Sequence, residues 1–260
     1  MNIKILVAAH KEFPMPKDKG IYLPVLVGAV KNYKAGIDYQ RDDEGENISV
    51  KNPNYNELTA IYWAWKNLDA DAIGLVHYRR LFSKGKKRNL ESVLNKEDVE
   101  QLLEKAEVIV PKKRKYFIET IYSHYIHSHH KDPLDVTRKV IQQYYPEYLN
   151  AFDELMNQRS AHMFNMFIMK QQRFKEYSQW LFDVLFKVEE RIDISNFSVQ
   201  EARVFGYISE ILLDVWIKTN DIKYIENSWI QVGNRKLFSK GFNFLKRKFL
   251  VNSNKKVTHF

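Results

Sequence analysis

The chain has 260 residues, 45% of them hydrophobic and 14% aromatic, enough for one α/β domain with a full core. It contains no cysteine, which excludes a disulfide scaffold, a thiolate zinc site and a cysteine nucleophile, and fits a reducing compartment. Of its formal charge of +9, residues 231–260 carry +8 and no acidic residue, so the body is nearly neutral and a basic stripe for nucleic acid is missing from it.

In chain order, residues 3–9 (IKILVAA) form a continuous apolar run that predicts a buried first strand ending at His10. That run is too short for a secretory signal, and no segment approaches the length of a membrane-spanning helix, so a cytoplasmic protein is expected. A loop of turn formers follows (KEFPMPKDKG), and residues 36–52 read as a polar loop. Asn54 opens a predicted helix: Glu57 stands three residues on, as in a capping box, and Leu58, Ile61, Tyr62, Trp65 and Leu68 make the apolar stripe. Asp69–Asp71 turn the chain into a strand over 72–77, which ends in His77, Tyr78, Arg79 and Arg80. Beyond a basic loop (SKGKKRN) come a charged helix near 96–106 and a strand at 107–111. His124, His127, His129 and His130 fall in a Tyr-rich segment beside a loop. Asp132 and Pro133 begin a helix that runs through Gln143, and Pro146 starts another. The run HMFNMFIM (162–169) predicts a second buried strand, and 171–190 an amphipathic helix. Ser198 and Glu201 form a capping box that opens the helix of FGYISEILLDVWI, and short strands at 222–226 and 229–232 close the domain. Strands and helices alternate first and helices dominate later, the pattern of an α/β fold with a mixed sheet.

The strand end at His77–Arg80 is the strongest functional signal. In open α/β sheets ligands bind at the carboxyl edge, and arginine presents a planar fork matched to phosphate oxygens. Arg79 and Arg80 are therefore candidates to hold a diphosphate, with His77 adding a hydrogen bond; the alternative is plain solvation of a strand end. No GxGxxG follows the first strand, and neither a Walker loop nor a GxSxG elbow occurs, which argues against a dinucleotide oxidoreductase, a P-loop ATPase and an α/β-hydrolase. The one Asp-x-Asp, Asp69-Ala70-Asp71, precedes its strand and lies at the wrong edge to grip a divalent cation. His77-Tyr78-Arg79 occupies that spacing at the carboxyl end, so a guanidinium would take the place of a metal beside a departing diphosphate. No metal and no other cofactor is expected.

The histidine cluster reads as a polar loop surface or, through His129 and His130, as an acceptor contact rather than a metal site. Asn165 interrupts an apolar run, where its amide needs a partner, either backbone or bound sugar. Arg203 and Glu210, seven apart, share a helical face with Gly206 and Tyr207. Glu210 is the candidate general base, with a salt bridge to Arg203 as the structural alternative. Glu201 is the alternative base, though its capping-box position explains it without catalysis, and Glu57 has the same structural explanation. His10, just past the first strand, is placed to touch a nucleobase or ribose.

Four ordered segments, NISVKNPNYNELTAIYWAWKN, IGLVHYRRLF, HMFNMFIM and ARVFGYISEILLDVW, resemble the bacterial capsular and exopolysaccharide glycosyltransferase family long catalogued as a domain of unknown function. Some of its members are assigned as β-galactofuranosyltransferases. The resemblance runs from His10 to about Trp229 and implies a GT-A-like fold. It further implies inverting transfer of a hexose, galactofuranose or galactose, from a UDP-sugar donor to an undecaprenyl-linked glycan acceptor. Asp43, Asn47, Ser49 and Asn52 match the family's polar loop and would read the nucleotide or sugar hydroxyls, with Asn165 and Arg203 completing the donor side. One departure stands out: the family commonly carries arginine after the glutamate of GYISE, where this chain has Ile211. In the tail, GFNFLKRKFL interleaves aromatics with cations and suits an anionic membrane surface. The expected division is a catalytic domain over 1–232 and a membrane-associating tail over 233–260. The rival function is a non-catalytic nucleotide-sugar or glycan-binding module.

Overall fold

A computed structural model describes residues 1–85, 87 and 89–232; the basic tail at 233–260 lies outside the described residues. In chain order the strands are β1 (Ile3–Ala9), β2 (Tyr22–Leu26), β3 (Gln40–Arg41), β4 (Ala72–His77), β5 (Arg80–Phe82), β6 (Val108–Pro111), β7 (Arg114–Lys115), β8 (Ser160–Ala161), β9 (Phe167–Lys170), β10 (Tyr224–Asn227) and β11 (Trp229–Gln231). The helices are α1 (Ala29–Asn32), α2 (Asn52–Tyr55), α3 (Leu58–Asn67), α4 (Lys96–Lys105), α5 (Ile121–Ser128), α6 (Asp132–Tyr144), α7 (Leu149–Asn157), α8 (Gln171–Glu189) and α9 (Val204–Thr219).

The main sheet runs in the order β10-β6-β9-β4-β1-β2-β3, with β5 and β11 branching from the end of β4. β1 pairs in parallel with β2 on one side and β4 on the other, bringing Ala9 beside Leu26 and Ala8 beside His77. The chain therefore winds away from β1 in both directions, which opens a crevice at the carboxyl ends of these strands. β9 runs against both of its neighbours, β4 and β6. Its amino end thus reaches the same edge as the carboxyl ends of β1, β2 and β4.

Side chains alternate across this sheet with period two. Ile3, Ile5 and Val7 of β1 join Val99 and Leu103 of α4 on one face, while Leu6 and Ala8 join residues of α3, α8 and α9 on the other. Coverage on both faces is why the strands read as unbroken apolar runs.

Three local details depart from expectation. The helix expected from Asn54 is two helices, because Asn56 between α2 and α3 takes a positive φ of 52°. With ψ at −127° this lies outside the αL basin, and Asn52 Nδ2 holds it by donating to the Asn56 carbonyl at 2.7 Å. The strand expected over 162–169 begins only at Phe167, since Phe164 and Asn165 (φ 78° and 52°) form a left-handed turn before it. Ser198 and Glu201 do bond reciprocally, at 3.1 and 3.3 Å, but they close a turn and α9 starts later, at Val204. Strand β2 and helix α5 were not foreseen. Pro24 disguises β2, and it is tolerated because β3 joins β2 only from Val25 onward. Helix α5 buries only Ile121 and Tyr125, too narrow a stripe to read.

Gly74 of β4 faces Ile168 of β9, and a Cβ there would lie 2.8 Å from both the Phe167 carbonyl oxygen and Ile168 Cγ1. Gly74→Ala is expected to cost about 1–3 kcal/mol by overpacking, seen as a lower urea midpoint with an unchanged slope.

Candidate active site

The carboxyl edge gathers most of the residues singled out above around the left-handed turn Phe164–Asn165. The Phe164 carbonyl accepts from His77 Nε2 at 2.5 Å. Asn165 is buried, and its amide is fully used: Nδ2 donates to Glu57 Oε1 at 2.7 Å and to the Gly206 carbonyl at 3.1 Å, and Oδ1 accepts from Ser209 Oγ at 2.9 Å. Its partners are thus protein groups of α9 and a carboxylate at the head of α3. Glu57 makes no helix cap; the break at Asn56 turns it inward instead. Arg203 Nε donates to Asn56 Oδ1 at 2.7 Å. Gly206 admits this packing, since a Cβ there would lie 2.5 Å from Asn56 Nδ2.

Charge is concentrated here. Burial and the neighbouring Glu57 carboxylate push Glu210 up to about 7, against the lowering effects of the Phe164 backbone, Arg80 and Arg114. Burial pushes His77 below its ordinary value despite Glu57, so the ring is neutral near pH 7. Arg80 is half-buried, with its guanidinium 4.3 Å from the centre of the Phe164 ring. Burial lowers its pKa while Glu210 and Glu57 support its charge. Neither Arg79 nor Arg80 forms an ion pair within 4.0 Å among the described residues, and Glu210 makes none with Arg203. A half-buried guanidinium without an ion-paired carboxylate, as at Arg80, is poised for an anion.

Two further groups flank this centre. On the β1 side, Phe13 stacks on Tyr78 with ring centres 3.6 Å apart, and His10 meets both edge-on at 5.4 and 5.6 Å. Arg79, exposed, lies 5.0 Å from the Tyr78 ring. On the α5 side, a pocket is lined by Tyr116, Ile121, His124, Tyr125, His129, Met163, Tyr207, Glu210 and Ile211. His129 stacks on Tyr207 at 4.0 Å, and burial lowers it to about 4, so it is an uncharged ring facing the same pocket as Glu210. The departing position Ile211 is an apolar part of that wall. His130 turns elsewhere, to Glu201 at 3.0 Å and onto Phe197. His124 and His127 both bond the Glu119 carboxylate, at 2.9 and 2.8 Å.

The polar loop of residues 42–52 is pinned by a residue the sequence did not single out. Asp42 is fully buried and accepts from the backbone N–H of Gly28 (2.7 Å) and Ala29 (2.8 Å), from Ser49 Oγ (2.5 Å) and from Thr59 Oγ1 (2.6 Å). Ser49 is thereby committed to the loop. Asp43 pairs with Arg41 at 2.7 Å, Asn47 donates to the Asp43 and Gly45 carbonyls, and Asn52 bonds Asn56. Glu57, Arg114 and Tyr116 join the site without having been candidates for it, and Tyr207 had been noted only for sharing a face with Glu210. Arg114 is lost in the basic run KKRK, and Glu57 is hidden by a false capping pattern.

A family model described as Domain of unknown function (DUF4422) matches residues 4–221. The chain belongs to this family. No curated protein matches it. Among solved structures, this DUF4422 chain is similar to the apo structure of the WbbM bifunctional glycosyltransferase, with a TM-score of 0.80 and 30% sequence identity. The match covers 90% of this chain and 46% of that one, so the chain spans about half the length of WbbM. The fold is GT-A-like: a central, mostly parallel sheet flanked by helices. No helix among the described residues is long and apolar enough to cross a membrane.

Because Glu210 is raised from 4.5 to about 7, its ionised form burdens the folded state. Wild type therefore loses stability relative to Glu210→Gln as pH rises from about 4.5 to about 7, and the difference levels off above that. Melting temperatures of the two proteins across this range check the sign; a Glu210 held in a stabilising salt bridge would give the opposite trend.

Proposed function

We propose that this chain is a glycosyltransferase domain that moves a hexose, galactofuranose or galactose, from a UDP-sugar to a lipid-linked glycan such as an undecaprenyl-linked acceptor. The observation that carries the reading is Arg80: a half-buried guanidinium at the carboxyl edge with no ion-pair partner among the described residues, close enough to Glu210 for each to shift the other. The likeness to WbbM supports transferase chemistry for the DUF4422 chain. The donor diphosphate would lie against Arg80 and Arg79, with Arg203 nearby. The nucleobase would use the Phe13–Tyr78 stack and His10. The loop held by Asp42, bearing Asp43, Asn47, Ser49 and Asn52, would shape the donor side.

Glu210 is the general base of this scheme. A carboxyl near 7 is matched to taking a proton at neutral pH. The acceptor hydroxyl loses its proton to Glu210 as its oxygen bonds the anomeric carbon from the face opposite the diphosphate. The bond from that carbon to the diphosphate oxygen breaks, and the guanidiniums receive the departing negative charge, with inversion at carbon. The stacked rings of His129 and Tyr207 offer an apolar face to the acceptor sugar, while His77 and Asn165 act as positioning residues through Phe164 and Glu57. No metal ion is required by this arrangement.

Arg80→Ala and Glu210→Gln are each expected to lower kcat/KM by roughly a hundredfold or more while the fold persists. In wild type kcat/KM should rise with pH through about 7, because only ionised Glu210 takes the proton. Assay with UDP-galactofuranose and UDP-galactose in the presence of EDTA tests the scheme. Strict dependence on Mn²⁺ would overturn the arginine assignment, and donor binding without transfer or hydrolysis would favour a binding module.

A further inference from the structure

The loop from β6 to α5 carries a surface that the chemistry above leaves unused. Residues 112–118, KKRKYFI, hold four cations and no acid. Tyr116 is buried, yet the next two residues are thrust into solvent: Phe117 is 77% and Ile118 55% exposed. This exposure is built in rather than incidental. Strand β7 is fixed to β8, with Arg114 opposite Ala161 and Lys115 opposite Ser160, and the Tyr116 N–H donates to the Arg159 carbonyl at 2.8 Å. The Ile118 N–H then donates back to the Tyr116 carbonyl at 2.6 Å, closing a tight turn, and Arg159 Nη1 donates to the Phe117 carbonyl at 3.2 Å. Within that turn Phe117 takes a left-handed backbone (φ 55°), a conformation that a bulky aromatic adopts at an energetic cost. The fold therefore strains one residue in order to hold an aromatic ring out in water.

Lys112 and Lys115 are exposed and Lys113 is partly so, and none of the three forms an ion pair among the described residues. The next acid along the chain, Glu119, is occupied by His124 and His127. A two-residue apolar tip is far smaller than a protein interface needs, and lysine is depleted from such interfaces. An aromatic and an aliphatic tip preceded by lysines without ion pairs instead matches the boundary of an anionic bilayer, where the apolar part enters the acyl region and the lysines rest on phosphates.

We propose that the Lys112–Ile118 loop is a membrane-insertion element for anionic lipid surfaces, acting independently of residues 233–260. Tyr116, one residue from the tip, is a wall of the pocket that holds Glu210 and His129. An inserted tip would therefore bring that pocket to the lipid surface, within reach of a substrate carried there.

The 260-residue chain has no cysteine, so Phe117→Cys gives a single labelling site for a polarity-sensitive fluorophore. Vesicles of phosphatidylcholine with phosphatidylglycerol should shift the emission to the blue, and pure phosphatidylcholine vesicles should not. In cosedimentation with the mixed vesicles, Phe117→Asn and the triple variant Lys112→Glu, Lys113→Glu, Lys115→Glu should each bind at least about tenfold more weakly than wild type. Phe117 is 77% exposed, so Phe117→Asn should melt within a few degrees of the wild-type temperature, which separates lost binding from lost folding. All variants retain the tail. Unchanged vesicle binding by the variants, or a label whose emission ignores anionic vesicles, would overturn the proposal.

Discussion

The candidate site depends on one two-residue turn. Phe164 and Asn165 both sit in the left-handed region just before β9, and between them they bind three different parts of the molecule. The Phe164 carbonyl takes the His77 ring from the end of β4, and the Asn165 amide ties Glu57 at the head of α3 to Gly206 and Ser209 on α9. Three elements far apart in sequence are thus held in register by groups that would be costly to bury unpaired. The turn is polar where the surrounding run is apolar because it must make these bonds, not because it faces solvent.

Around that turn the fold keeps charges in an arrangement that favours chemistry over stability. Glu57 and Glu210 lie close enough for one carboxylate to raise the other, and Arg80 lies within electrostatic reach of both without an ion pair to either among the described residues. Groups buried in this way are destabilising unless something else occupies the space between them. Asp42 is the instructive contrast. It is more completely buried, but two backbone N–H groups and two hydroxyls satisfy it, and it organises a loop rather than waiting for a partner. Two carboxylates on the same edge of the sheet therefore differ in role because one has its donors built in.

Much of the architecture was legible in the chain. Apolar runs at 3–9 and 72–77 announced β1 and β4, and the placement of His10, His77, Arg79 and Arg80 at a common edge followed from their positions at strand ends. Arg203, Asn165 and Glu210 drew attention as polar residues amid apolar neighbours. What was hidden involves backbone conformation and partners distant in sequence. Glu57 matched a capping box three residues after Asn54, and only the positive φ of Asn56 between them reveals that it points elsewhere. Asp42 and Asp43 are adjacent and chemically identical, so nothing local tells which one is buried. His129 and His130 pose the same difficulty: neighbours on the chain, they face a pocket wall and a surface carboxylate respectively.

The reversed strand β9 has a consequence for how the domain comes into being. It stands between β4 and β6, which precede it by scores of residues, so the sheet stays in two unjoined parts until it is threaded between them. A nascent chain released only as far as α7 holds the arginines of the ligand edge but neither the turn that positions His77 nor the helix that bears Glu210. Such long-range closure makes folding slow and leaves apolar strand edges open in the interim. The candidate site is therefore completed late and all at once, since an amino-terminal fragment lacks the turn and the helix that finish it.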